Sequence, residues 1–442
     1  MKNLKTLVAH PLFRIFQNPI FLFVMWMCIT LVCCIFKLAQ GRYNNFLIFR
    51  QSYWDALAQI SLYLENLNAY LYGISFTVLI APFAVLPIPL GMILWCLANT
   101  AFLYYAIRKL EPETWKFTLI IWVSANDLYE AMVYQQYNVG IAAMIILAFV
   151  CIEKKKDFWA ALFIVVGTMT KIYGILGLAF ILFSKRKLHL LWGILFWSIV
   201  FFCLPMIYTS PEYVLSQYRD WLEVLIYKNN LNTFCYYTNI SLLGMVRKIS
   251  QVTTYSDLWL IIPGILLFIA PYFRINQYES KSFRLLYLSS VLLFMILFST
   301  GTEGCGYISA MVAVGIWFVN TPTRKKTPVL NITLLIFCIV LTSLSASGIF
   351  PKYVRVNYVS PYALKALPCV FIWLKIVWEQ LTQNFVTALP ASLTETGKRS
   401  RIDIVLPCYN PYEGWEQQLI EKHKELEAML DGYDIRFIVV ND

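Results

Sequence analysis

FWAALFIVVGTMTKIYGILGLAFILF, residues 158–183, decides how this chain folds. It is apolar except for Thr168, Thr170 and Lys171 at its centre. Basic clusters bracket it, Glu153-Lys-Lys-Lys156 before and Ser184-Lys-Arg-Lys187 after. Short loops rich in Lys and Arg stay in the cytoplasm. A single crossing would put the two clusters on opposite sides. The pattern instead predicts two short helices that rise, meet near Lys171 on the outer side, and return. A charge in the middle of an apolar segment is costly unless it reaches water or a partner. A turn at Lys171 gives the ammonium that exit.

The same alternation runs along the rest of the chain. The 442 residues are 59% apolar and only 14% charged, with mean hydropathy +0.63. Soluble domains carry about 25% charged residues, so the composition is that of a polytopic membrane protein. The net charge of +11 does not point to nucleic acid, because Lys and Arg sit in short clusters between apolar runs. The eleven Cys lie mostly inside those runs, without a CxxC pair, and read as small buried apolar residues. Three His, at 10, 189 and 423, leave little room for His catalysis or a His metal site.

The first crossing is expected at 19–37, after a positive N-terminal region with Lys2, Lys5 and Arg14 and without a small-residue cleavage site. Residues 38–72 then lie outside. Two apolar runs, 73–87 and 88–107, are split by Pro87 and Pro89, which suits a tight turn. Reaching the cytoplasm at 153 takes an odd number of crossings, and four apolar runs are present. Segment 115–137 contains NDLYEAMVYQQYN (126–138), too polar for lipid, and is expected as a re-entrant or interfacial piece. Run 139–152 spans, 188–208 exits, and 209–256 forms a second outside loop. Further crossings fall at 258–273, 285–299, 307–320, 329–348 and 363–381. Arg274, Lys281, Arg284, Arg324, Lys325 and Lys326 then fall inside, and Glu303 outside. The count is about twelve crossings with both termini cytoplasmic.

After Thr382 the composition changes. Residues 382–401 read as a polar linker. RIDIVLPCYN, a helical stretch and DIRFIVVND follow, the start of a βαβ unit over 402–442. That stub is too small to bury a core alone, which implies an incomplete unit. The expected fold is an all-α membrane domain over 1–381 followed by an incomplete α/β stub.

Chemistry is sought on the outer side. Lys171 suits a lipid phosphate, or simply snorkels at a helix end. Glu303 lies in the Gly-rich loop TGTEGCGY, where a carboxylate serves as a base or orients a sugar hydroxyl, or is an ordinary solvated acid. In the first outside loop, GRYNNFLIFRQSYWDALAQISLYLENLNAY (41–70), Arg42 and Arg50 suit a phosphate, and Asp55 and Glu65 are the carboxylates. SYWDALAQISLYL also has the pattern of a surface helix with Asp55 on its wet face. Gln135, Gln136 and Asn138 suit sugar hydroxyls or a helix cap. Tyr213, Trp221, Tyr227, Tyr236 and Tyr237 suit an interfacial belt better than sugar stacking.

Two resemblances follow from these segments. NNFLIF, LYGISFTVLIAPFAVLP, QQYN, GTMTKIYGI, NISLLGM and TEGCGYISA resemble the family 87 membrane glycosyltransferases, of GT-C type. That likeness implies sugar transfer from a polyprenyl-phosphate carrier to a glycan or glycolipid acceptor on the extracytoplasmic face of a bacterial inner membrane, without a cofactor in the membrane domain. It places Gln136, Asn138 and Lys171 near the substrates, and Asn45 and Tyr307 are further candidates for binding them. The catalytic Asp usual after the first crossing of GT-C enzymes is replaced here by Asn44-Asn45, and an amide is no base. Glu303 is then the leading proton acceptor and Asp55 the second, while Arg42, Arg50 and Asn45 position donor and acceptor. The C-terminal stub is similar to the opening of a family 2 (GT-A) glycosyltransferase. That likeness puts Pro407, Tyr409, Asn410 and Asp442 at a nucleotide, and a divalent metal would belong only to a complete domain of that kind. A transporter of lipid-linked sugars, or a non-catalytic anchor, is the alternative reading. Polar residues gathered on the outer side favour the enzyme.

Overall fold

The computed structural model describes residues 14–63, 70–233, 235, 238–252, 254–321, 328–386, 400–408, 414–429 and 433–441. The chain divides into two compact units, Met1–Gln383 and Asn384–Asp442.

The first unit is helical. Helix α1 (Pro19–Ala39) starts where Asn18 Oδ1 accepts from the amides of Ile20 and Phe21, a side-chain N-cap. Helix α2 (Asn44–Leu57) lies in the segment 38–72 that follows α1. Then come α3 (Phe76–Ala84), α4 (Ile88–Leu110), α5 (Thr114–Val133) and α6 (Asn138–Glu153). Pro87 and Pro89 separate α3 from α4 and start α4, as their missing N–H groups favour. Helix α6 is buried on all sides along nearly its whole length, so it forms the centre of the bundle.

The decisive stretch breaks at Lys171. Helix α7 (Asp157–Thr170) ends there, Lys171 is extended (φ −147°, ψ 113°), and 3-10 turns run from Ile172 to Phe183. Both ends of the break are satisfied locally. The Gly73 amide donates to Thr170 O at 3.1 Å and the Lys171 amide to Gly167 O at 2.9 Å. The hydroxyl of Thr170 bonds back to Val166 O at 2.6 Å and that of Thr168 to Ile164 O at 2.7 Å. Glycine is needed on both sides. A Cβ on Gly73 would lie 2.2 Å from Met169 O, and one on Gly174 would lie 2.1 Å from Gly167 C.

Helices α8 (Lys187–Cys203), α9 (Pro211–Asn232), α10 (Leu242–Ser250), α11 (Leu258–Ile269), α12 (Lys281–Leu297), α13 (Tyr307–Asn320) and α14 (Pro328–Phe337) follow. A wide π-type turn, Cys338–Ser343, extends α14, and α15 (Leu367–Thr382) closes the unit. Helix α9 folds back on the segment 38–72. Trp221 Nε1 donates to Leu71 O at 3.0 Å and Tyr213 Oη to Ile60 O at 2.5 Å. Two of the aromatics expected at the bilayer surface thus fasten segment 209–256 to segment 38–72.

Four described helical spans are long and apolar enough to cross a membrane: Pro19–Ala39, Ile88–Leu110, Lys187–Ile207 and Val329–Ala346. A fifth is counted if Lys352–Val359 and Leu364–Thr382, bent by 96°, form one span. The remaining apolar helices are shorter, so length alone does not reach twelve crossings. One expectation is corrected. Of the two readings of segment 115–137 the re-entrant one is set aside and the interfacial one is not: α5 is an unbroken helix of 20 residues that is not among the helices apolar enough to cross a membrane. Its polar residues are tolerated because they are buried against other helices. Of the four runs between 72 and 153, the short one is α3, whose 9 residues reach only about 14 Å.

In the second unit, strands β1 (Ser400–Cys408) and β2 (Tyr433–Asn441) pair in parallel, from Ser400 opposite Tyr433 to Cys408 opposite Asn441. Helix α16 (Trp415–Met429) connects them, and His423 meets Phe437 edge-on at 5.3 Å.

Candidate active site

Two cavities share one wall. The first, about 380 Å³, lies under α2 and the break at Lys171. Asn45, Tyr72, Gln136, Asn138, Lys171 and Glu303 are among its lining residues. The second, about 510 Å³, is lined by Glu130, Tyr134, Glu303, Gly304, Arg355 and Lys365, among others. Among the described residues Glu303 alone lines both.

Each side chain of the first cavity is held by its element. Lys171 is placed by the helix break and aims inward. Its Nζ donates to Asn138 Oδ1 at 2.6 Å and stands 5.2 Å from the Tyr72 ring centre and 5.5 Å from that of Tyr173. Cation–π contact and one amide replace water around the charge. It makes no ion pair among the described residues. Asn138 opens α6, and its Nδ2 also reaches Cys305 Sγ at 3.9 Å. Gln136 Oε1 accepts from Tyr72 Oη at 3.2 Å. Asn45 Nδ2 donates to Tyr134 O at 2.7 Å. Helix α9 adds Lys228, Asn229 and Asn232, so the lining holds two cations and one carboxylate.

The Glu303 loop is fixed from three sides. The Ile240 amide donates to Thr302 O at 2.9 Å. Thr300 Oγ1 donates to Asn229 Oδ1 at 2.5 Å. Tyr173 Oη and Ser299 Oγ share a hydrogen bond of 2.7 Å. Cys305 Sγ meets Glu303 Oε2 at 3.5 Å. No cation is within ion-pair range of Glu303 among the described residues.

Beneath the second cavity sits a cluster of buried charges. Lys365 Nζ bonds Glu130 Oε2 at 2.5 Å and Gly304 O at 3.2 Å, and lies 3.9 Å from Asp127 Oδ1. The side chain of Asp127 is fully buried, and Ser343 Oγ donates to its Oδ2. Asn126 Nδ2 donates to Ser343 O at 2.8 Å, and Thr342 Oγ1 to Lys365 O at 2.8 Å, so the π-type turn serves as the clamp. A Cβ on Gly304 would lie 2.4 Å from Glu130 Oε1, which explains that glycine. Arg355 enters from the segment between α14 and α15, its Nη1 on Ser347 O at 3.2 Å.

The structure thus gathers Glu303, Lys171, Asn138, Gln136 and Asn45. Tyr307 is one step removed. It is buried, donates to Ile240 O at 2.8 Å and supports Lys365, whose Nζ is 4.9 Å from its ring centre. Asp55 and Arg50 are elsewhere. Both line a separate cavity of about 320 Å³, where Asp55 accepts from Gln51 Nε2 at 2.7 Å and Arg50 stands 5.8 Å from the Trp54 ring centre. Arg42 is exposed and lines neither cavity. The helical phase of α2 explains this: Asn45 and Phe49 face one way and Asp55 another. Pro407 lies on β1, whereas Glu65, Tyr409, Asn410 and Asp442 lie outside the described residues.

Sequence reasoning missed Asp127, Glu130, Lys228, Arg355 and Lys365. NDLYE was seen to be too polar for lipid, yet its partner Lys365 is far off in the chain. A lone Lys inside the apolar stretch YALKALP was the available signal.

The model of glycosyltransferase family 87 matches residues 70–300, more than half of the 442. The chain belongs to glycosyltransferase family 87. No curated protein and no solved structure matched it. This family 87 member is accordingly a glycosyltransferase, and its long apolar helices make it a membrane protein. Most of the first cavity falls inside the matched span, whereas Asn45, Glu303, Arg355 and Lys365 lie beyond it. The likeness of residues 402–442 to family 2 has no such match and rests on its quoted motifs alone.

Proposed function

We propose that this glycosyltransferase moves a sugar from a polyprenyl-phosphate carrier to a hydroxyl of a glycan or glycolipid on the extracytoplasmic face. The observation that carries the reading is Glu303, which alone among the described residues lines both cavities. The donor occupies the first cavity. Its phosphate lies toward Lys171 and Lys228, and the amides of Gln136 and Asn138 take sugar hydroxyls. The acceptor enters the second cavity. Glu303 takes the acceptor's hydroxyl proton as that oxygen attacks the anomeric carbon. The bond from anomeric carbon to phosphate oxygen breaks, and the lipid phosphate leaves with the electron pair. Lys171 meets the charge that develops on it, in a site already formed for it. Asn45 cannot act as the base, since an amide has no proton-accepting charge. A lipid-borne phosphate leaving group needs no nucleotide at the outer face.

The test is radiolabelled transfer in membranes from a polyprenyl-phosphate sugar and, separately, from a nucleotide sugar. Transfer from the lipid donor in the presence of a nucleotide-sugar synthesis block is expected. Transfer only from the nucleotide sugar would overturn the donor assignment.

A further inference from the structure

A fourth cavity, about 410 Å³, lies at the ends of α4 and α6 away from the candidate site, lined by Arg108, Lys109, Leu110, Pro112, Phe149, Val150, Glu153, Lys154 and Lys281. Four of these are cations, from three separate helices and their ends. Three carboxylates near this end are already engaged. Glu153 is held by Arg284 through both oxygens, at 2.6 and 2.8 Å. Glu111 is buried and accepts from Asn320 Nδ2 at 2.7 Å. Glu113 pairs with Lys116 at 3.0 Å, and that bond holds its carboxyl below the usual range, with Lys281 adding to the effect from beyond ion-pair distance. Arg108, Lys109, Lys154 and Lys281 make no ion pair among the described residues.

Helix dipoles account for part of this charge only. Lys109 in the last turn of α4 and Lys154 just past α6 complement the negative helix ends. Lys281 is the first residue of α12, where a cation opposes the positive end of the dipole. An anion in the cavity offsets that repulsion. Aromatic side chains at this end are of the kind found at a bilayer interface. Tyr105 and Trp115 are exposed beside the cavity, with Lys109 Nζ 5.2 Å from the Tyr105 ring centre and Lys116 Nζ 5.8 Å from that of Trp115. Leu110, Pro112, Phe149 and Val150 supply an apolar wall.

We propose that this cavity binds the headgroup of an anionic phospholipid, phosphate among the lysines and acyl chain along the apolar wall. Basic pockets between membrane helices take such headgroups. The site is separate from sugar transfer and does not depend on the assigned donor.

The full-length protein in neutral detergent is titrated with phosphatidylglycerol, cardiolipin and phosphatidylcholine, and retained lipid is read by native mass spectrometry. Wild type is expected to retain the anionic lipids preferentially. The triple variant K109Q/K154Q/K281Q is expected to lose that preference by roughly a hundredfold, with an unchanged melting temperature in detergent. Should the triple variant misfold, K281Q alone is expected to weaken retention by about fivefold. Inorganic phosphate at millimolar concentration is expected not to displace the lipid. Equal retention of anionic and zwitterionic lipid by wild type, unchanged preference in a folded variant, or displacement by phosphate alone would each overturn the proposal.

Discussion

Lys171 links the course of the chain to the lining of the first cavity. Its charge breaks an otherwise apolar stretch, and the break delivers the ammonium to the cavity. Exchange to methionine keeps the size of the side chain and removes the charge. Transfer by K171M is expected to fall about a hundredfold, the scale of losing one group that meets developing charge, with the protein still folded by circular dichroism. Unaltered transfer would remove Lys171 from the site. Gly73 is the matching structural residue. Its missing Cβ makes room for Met169 O, so G73A is expected to lower the melting temperature and the yield of folded protein. Both residues were legible in the sequence, Lys171 as a misplaced charge and Gly73 within a family 87-like segment. Asp55, the second candidate for the proton acceptor, is set apart by the phase of its helix, which the sequence pattern did not give. Its carboxylate points into a different cavity from Glu303.

Among elements, α5 and the α14–α15 connection hold the lesson. The polarity of α5 suggested a re-entrant or interfacial segment. It is a continuous helix rather than a re-entrant loop, and its Asp127 and Glu130 find Lys365, more than two hundred residues later. Such a pairing is invisible to any reading of local pattern, because only the packed bundle brings the partners together. The element-scale prediction follows from the cluster's charge. K365M leaves two buried carboxylates without their cation and is expected to cost about 3–5 kcal/mol, read as unfolding in detergent. The double variant E130Q/K365M is expected to recover part of that stability. Its transfer rate stays low, because the bond from Lys365 to Gly304 O that holds the Glu303 loop is gone. Full recovery of transfer in the double variant would show the cluster to be structural only. By contrast, the helix break at Lys171 and the proline turn between α3 and α4 were read correctly, since charge clusters and proline act locally.

On the scale of the whole molecule, the residues gathered at the two cavities all belong to the unit Met1–Gln383. A chain ending at Gln383 is therefore expected to keep transfer within about twofold of the full chain, as for a unit with its own core. Loss of transfer, with the shorter chain folded, would assign the second unit a part in the reaction. The broad class of the molecule was legible from composition, since repeated apolar runs and basic clusters have few other uses. The joint wall at Glu303 was not, because cavities are made by packing. That wall is also the point on which the account turns. The most direct measurement is kcat/KM for transfer from a polyprenyl-phosphate sugar by wild type, E303Q and D55N. The account predicts a loss of about a hundredfold or more for E303Q, the usual worth of a positioned base, and near-wild-type transfer for D55N. Undiminished transfer by folded E303Q, or a loss confined to D55N, would contradict it.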